Sequence, residues 1–265
     1  MKTTVNYALT LIFASALMLA CTNDDVDPVG TDDKNAVTLE FDNRVGAQKM
    51  ALGSTTYKNS SGEEFILNRF NYFISNVALK KADGTVVKFA DQYFLIRQSD
   101  PTSWEPKLKD VPAGDYKEIS FLIGVDSTRS VSGIENRTGA LDPTSYGDDV
   151  MAWSWNWGYI FLKVEGTSPA APLNSAGKRA FEYHVGGYKG KGNNLRTVTL
   201  PMKGAATVRK DIAPTIHLVA DFLKVLDGSK TIKLAETNMV HNPDGAGLIA
   251  DNYKTMFVVD HVHND

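Results

Sequence analysis

From Ala36 to the C-terminus the chain is a succession of short apolar or alternating runs separated by Gly, Pro, Asp and Asn. Alternation with a period of two places every second side chain on one face, which is the signature of a strand with one buried side. Ala36–Phe41, Val86–Phe89, Tyr93–Ile96, Ile160–Gly166, Leu195–Pro201, Thr215–Asp221 and Met256–His263 fit strands, and Ile119–Val125 is apolar enough to be buried on both faces. Phe65–Leu79 fits an amphipathic helix followed by a strand, while Phe222–Leu226 and Ala246–Thr255 have short helical spacing. Strands at this interval, with no regular helix between them, predict an all-β protein. The expected architecture is a single antiparallel β-sandwich, Ig-like or jelly-roll-like, with few short helices, over residues 36–265.

The densest feature is Met151-Ala-Trp153-Ser-Trp155-Asn-Trp157-Gly-Tyr159, which holds three of the four tryptophans at alternate positions. On a strand these indoles would line one face, about 6–7 Å apart. The run continues through Ile160–Gly166, and Phe181-Glu-Tyr-His184-Val-Gly-Gly187 follows as a second short strand. A hairpin with its indoles in a sandwich core accounts for this pattern. An exposed aromatic row stacking on sugar rings or on a protein surface accounts for it as well, and burial discriminates the two.

Residues 1–20 have the form of an export signal. Lys2 precedes an apolar stretch from Tyr7 to Ala20 that is too brief to span a bilayer comfortably. It ends Leu17-Met18-Leu19-Ala20-Cys21, which resembles a lipoprotein processing site, with Met18 where leucine is commoner. Cys21 is the only cysteine, so no disulfide forms within the chain, and its position suits lipid attachment better than catalysis. Residues 21–35 are rich in aspartate and are expected to form a flexible acidic tether from an outer-membrane anchor, on the periplasmic face or the cell surface. A formal net charge of −3 offers no electrostatic footprint for nucleic acid.

Several segments occur in the order found in one family. Asn71-Tyr-Phe-Ile-Ser-Asn-Val-Ala-Leu79 with Ala82-Asp-Gly84, Val111-Pro-Ala-Gly-Asp-Tyr116 with Phe121-Leu-Ile-Gly-Val-Asp126, and Met151–Gly166 with Phe181–Gly186 resemble motifs of the MbnP-like domain; Met239 and Asn252 fall where its C-terminal segment would lie. The resemblance runs from about Val37 to Phe257. It implies a secreted or lipid-anchored β-sandwich associated with copper. It also implies a dihaem peroxidase-like partner that oxidises a tryptophan to kynurenine, with Trp153 or Trp155 as the candidate.

Copper in an oxidising compartment prefers imidazole nitrogen, with thioether sulfur when reduced. The chain has five histidines: His184, His217, His241, His261 and His263. Only His184 falls on a family motif. One copper ion near the tryptophan row is therefore expected to take His184 with one or more of the others, and Met151 or Met239 as soft candidates. His261 and His263 share one strand face but sit in the last five residues, where fraying is the default. Asp142, Asp148 and Asp149 lack the spacing of a calcium loop and are expected to be solvated. With no HExxH and no Gly-x-Ser-x-Gly, a binding role is expected and not an enzyme.

Overall fold

The computed structural model describes residues 32–153 and 158–265, so Cys21, Trp155 and Trp157 lie outside the described residues, as does most of the expected tether. In chain order come β1 (Lys34–Val45), β2 (Gln48–Lys49), β3 (Tyr57–Lys58), β4 (Glu64–Lys81), β5 (Val86–Arg97), β6 (Lys107–Pro112) and β7 (Gly114–Ile123). A short helix α1 (Ser127–Ser130) opens an excursion of single turns that ends at β8 (Ile160–Thr167). Then follow β9 (Ala180–Gly186), β10 (Arg196–Val208), β11 (Thr215–Asp221), α2 (Leu223–Leu226), β12 (Met239–Val240), α3 (Gly247–Tyr253) and β13 (Phe257–His263). Strand begins at Lys34, two residues ahead of the expected boundary, and both short helices lie within their expected ranges.

Two mixed sheets form a β-sandwich. The smaller has the order β13-β11-β1-β2, with β6 also on β1; the larger has the order β10-β7-β4-β8-β9-β12, with β3 and β5 also on β4. Most pairings are antiparallel, but β1 with β11 and β12 with β9 are parallel. Between the sheets lies one core, in which Phe41, Phe65, Phe70, Tyr72, Phe121, Phe181, Phe222 and Phe257 meet mainly edge-on, the arrangement ring quadrupoles favour.

The structure corrects the helix expected within Phe65–Leu79: residues 64–81 are one strand of 18 residues. Its core-facing residues are Phe65, Leu67, Phe70, Tyr72, Ile74, Val77 and Leu79. The steps from 67 to 70 and from 74 to 77 skip three positions because the register shifts there. A bulge adds a residue and flips the parity of everything beyond it, so two bulges imitate helical spacing. At the second, Asn76 takes a left-handed conformation (φ 48°), and Ser75 Oγ donates to Gly124 O. The length of β4 lets it serve β8 and β7 along one edge, with β5 along the other.

The tryptophan segment also departs from expectation. Ala152 pairs antiparallel with Tyr159, and Trp153 N–H donates to Gly158 O, so no single strand runs from Met151 into β8. Outside the main core a second apolar cluster of Phe73, Leu95, Val125, Leu141, Met151, Tyr159, Ile160 and Phe161 seats this excursion on the outer face of the larger sheet. Tyr159 OH donates to Leu141 O and closes it.

Candidate metal centre

Alternation along β9 sends Phe181, Tyr183 and Val185 into the main core, and therefore Glu182, His184 and Gly186 outward. On β8, Leu162 and Val164 are in the core, so Lys163 and Glu165 share that outward face. The register sets Lys163 opposite His184 and Glu165 opposite Glu182. β12 runs parallel beyond β9 with Val240 beside Tyr183, which brings the next residue, His241, against His184. The two imidazoles stack with centroids 4.3 Å apart and planes 16° from parallel. His184 Nε2 lies 2.9 Å from Glu165 Oε1, and His241 Nε2 lies 3.1 Å from Glu182 Oε2. One donor atom from each of Glu182, His184 and His241 falls within 4.8 Å of the other two.

A charge network supports this face from the tryptophan side. Arg69 contacts Glu165 Oε2 at 2.5 Å and Asp149 Oδ1 at 2.5 Å, and Arg97 lies 3.7 Å from the other Asp149 oxygen. Lys163 Nζ donates to Val150 O at 3.1 Å. The hydrogen bond from His184, helped by Arg69 and Lys163 against the effect of burial, holds the Glu165 carboxyl down at about 2. Burial lowers the Lys163 ammonium pKa, and neighbouring Arg69 lowers it further. Burial, then the proximity of His184, lowers the His241 pKa and favours the neutral imidazole that a metal requires.

Trp153 belongs to the same face. A Cβ on Gly186 would sit 2.9 Å from the Trp153 indole and would strike Tyr159 O. Glycine at 186 thus leaves the space into which the ring packs, two residues from His184. A cleft of about 570 Å³ opens beside this indole, lined in part by Ser130, Ile134, Arg137, Gly158 and Tyr188.

The other sequence candidates divide. Met151 is 2% exposed and packs in the outer apolar cluster, whereas Met239 is 44% exposed on β12, in register with Glu182. His217, His261 and His263 come together on β11 and β13, in the smaller sheet. The five histidines therefore form two groups and not one. Asp149 is engaged by Arg69, and Asp142 caps its own turn through Thr144 and Ser145; neither is a merely solvated carboxylate. Sequence reasoning missed Glu165, Glu182 and Arg69. Glu182 alone carried a local signal, as the residue two before His184 on the same face.

Fold and site together define a β-sandwich that presents a strand-borne imidazole–carboxylate cluster beneath an aromatic excursion. The chain belongs to the MbnP family, whose model matches residues 34–243. Among solved structures it is similar to MbnP from Methylosinus trichosporium, with 17% identity, a TM-score of 0.49, and coverage of 76% of this chain and 80% of that one. No curated protein matches.

Proposed function

We propose that this chain is a copper-binding protein, held outside the cytoplasm by lipid on Cys21, with His184 and His241 as the metal's imidazole ligands and Glu182 as an oxygen ligand. The carrying observation is the convergence of those three donors within 4.8 Å, two on β9 and one directly after β12. Two nitrogens and a carboxylate form a donor set that suits Cu(II) far better than an oxygen-seeking cation such as magnesium. Glu165 on His184 supplies the carboxylate support that orients metal-binding imidazoles and raises their basicity. Bound copper would supply a redox-active Lewis acid, and the residues described orient and neutralise it.

Trp153 is the residue we assign to oxidation, because its ring packs over Gly186, two residues from His184 on the same strand face, and borders an open cleft. Conversion to kynurenine breaks the indole C2–C3 bond as a dihaem peroxidase-like partner uses two peroxides, each giving one oxygen to C2 or C3 and leaving as water; hydrolysis of the N1–C2 bond then frees C2 as formate. The product's aniline nitrogen and ketone oxygen are metal donors, whereas the indole nitrogen of tryptophan only donates a hydrogen bond.

Copper titration of the full chain tests the site. His184→Ala and His241→Ala should each weaken binding by roughly 10-fold or more, and unchanged titrations would overturn the assignment. An intact mass of protein from its own host reports the tryptophan, and Cys21→Ala should abolish the lipidated form.

A further inference from the structure

On β13 the core-facing residues are Phe257, Val259 and Val262, a spacing that needs one extra residue. The register with β11 shows where it falls: Val259 pairs with Leu218 and His261 with His217, so Asp260 has no partner. Without that bulge His261 and His263 would follow Phe257 and Val259 into the core. With it they face outward beside His217, the re-aiming that bulges perform near functional sites.

The three imidazoles are closely set. His217 and His261 stack at 4.0 Å, and His263 stands edge-on to both, at 4.9 and 4.7 Å. His261 Nε2 and His263 Nε2 are 3.1 Å apart. A tetrahedral ion with nitrogen bonds of ~2.0–2.1 Å holds its ligands roughly 3.3 Å apart, so this separation is near that of a bound pair. Carboxylates engage the far side of two rings. Glu40 Oε2, on the adjoining β1, lies 3.2 Å from His217 Nδ1, and Asp260 Oδ2 lies 3.0 Å from His261 Nδ1. Each ring keeps Nε2 for a shared ligand.

The chain end that carries these residues is tied down. Asn264 accepts from Thr207 N–H at 2.8 Å and donates to Ala205 O at 3.0 Å, and Asp265 O accepts from Ala213 N–H at 3.2 Å. The expected fraying is absent from β13. His261 and His263 also lie beyond the residues that the family model matches.

We infer that His217, His261 and His263 form a second metal site, on the opposite outer face of the sandwich from His184, for a borderline divalent ion of the zinc class. Three imidazoles supply one face of a tetrahedron and leave the fourth position to water or an added ligand.

Zn(II) alone is the probe, titrated against a chelating indicator into the untagged full chain carrying His184→Ala and His241→Ala. One ion should still bind, so the result is independent of the copper assignment. Adding His217→Ala, His261→Ala or His263→Ala should each weaken uptake by roughly 10- to 100-fold, with circular dichroism unchanged; His263, exposed at the strand end, is the variant least able to disturb folding. Measured below the unfolding transition of that background, where its circular dichroism matches the parent chain's, Zn(II) uptake that disappears with the first cluster overturns the proposal. So does uptake that needs His261 and His263 but ignores His217, since that is chelation by a chain end alone.

Discussion

The two histidine clusters use the same device, imidazoles on adjacent outward-facing strand positions with carboxylates behind them, in opposite surroundings. Around His184 the carboxylate is clamped by Arg69, Lys163 reaches a backbone carbonyl, and the excursion from α1 to β8 roofs the neighbouring face. Around His217 the supporting groups, Glu40 and Asp260, stand at the surface, and β13 is the edge of its sheet. The difference teaches that one cluster is part of how the domain holds together, whereas the other is an attachment that folding does not need. Mutations at the first should therefore register in stability as well as in metal binding. At the second they should register in binding alone.

The largest effect is expected from Gly186→Ala. The added methyl meets Tyr159 O and the Trp153 ring, and neither is the far end of a flexible chain. A loss of about 3 kcal/mol or more is expected, measured by denaturant unfolding, with a shift in tryptophan fluorescence as the indole moves. A near-neutral outcome would mean that the roof is loosely seated and would erase the contrast.

Next comes Arg69→Met, which leaves Glu165 and Asp149 without their shared cation in a half-buried site. Removing one partner of a buried pair costs about 3 kcal/mol. The same unfolding measurement should give a smaller loss once Glu165→Gln is added, because the stranded charge is then gone.

How much of this contrast was legible in the sequence follows from where its determinants lie. That His184 faces the same way as Glu182, and His261 the same way as His263, is local alternation. What each pair meets is not local. His241 reaches His184 because β12 joins β9 in parallel, across more than fifty intervening residues. His217 reaches His261 through a bulge at Asp260, and bulges in β4 likewise disguised a long strand as a helix. A one-residue insertion reverses facing while leaving composition untouched. Family motifs proved partly structural: Asn252 donates to Val225 O and Lys230 O and accepts from the Ser229 hydroxyl and from Lys230 N–H, all away from both clusters.

A smaller effect tests the roof alone. Asp126 caps α1 by accepting from Arg129 N–H, and it also accepts from Tyr93 and Asn76. Burial alone would raise its pKa; these hydrogen bonds outweigh it and hold the carboxyl below its usual 3.8. A group depressed in the folded state contributes stability above its unfolded value and loses it as pH falls through the folded one. Stability of the excursion should therefore drop below about pH 4, by about 1 kcal/mol. Asp126→Asn should lose that amount at neutral pH and flatten the acid limb. Hydrogen exchange of residues 127–153 at pH 7 and pH 3 reads it, and β11–β13 should be untouched.

The smallest effect on stability belongs to Glu40→Gln. Glu40 lies 3.2 Å from His217 Nδ1, and its side chain is 37% exposed, so the surface contact is worth less than about 1 kcal/mol. Unfolding of the metal-free chain should hardly change. Glutamine keeps the size and an acceptor oxygen but loses the charge that raises the imidazole's basicity. Zn(II) affinity in the chain lacking the His184 cluster should accordingly fall by roughly 10-fold, and Zn(II)-dependent stabilisation should shrink with it, since an ion that binds only the folded state stabilises it in proportion to its affinity. If Glu40→Gln instead unfolds the domain as Arg69→Met does, the His217 cluster is as embedded as its counterpart. The distinction between a built-in and an attached cluster then fails.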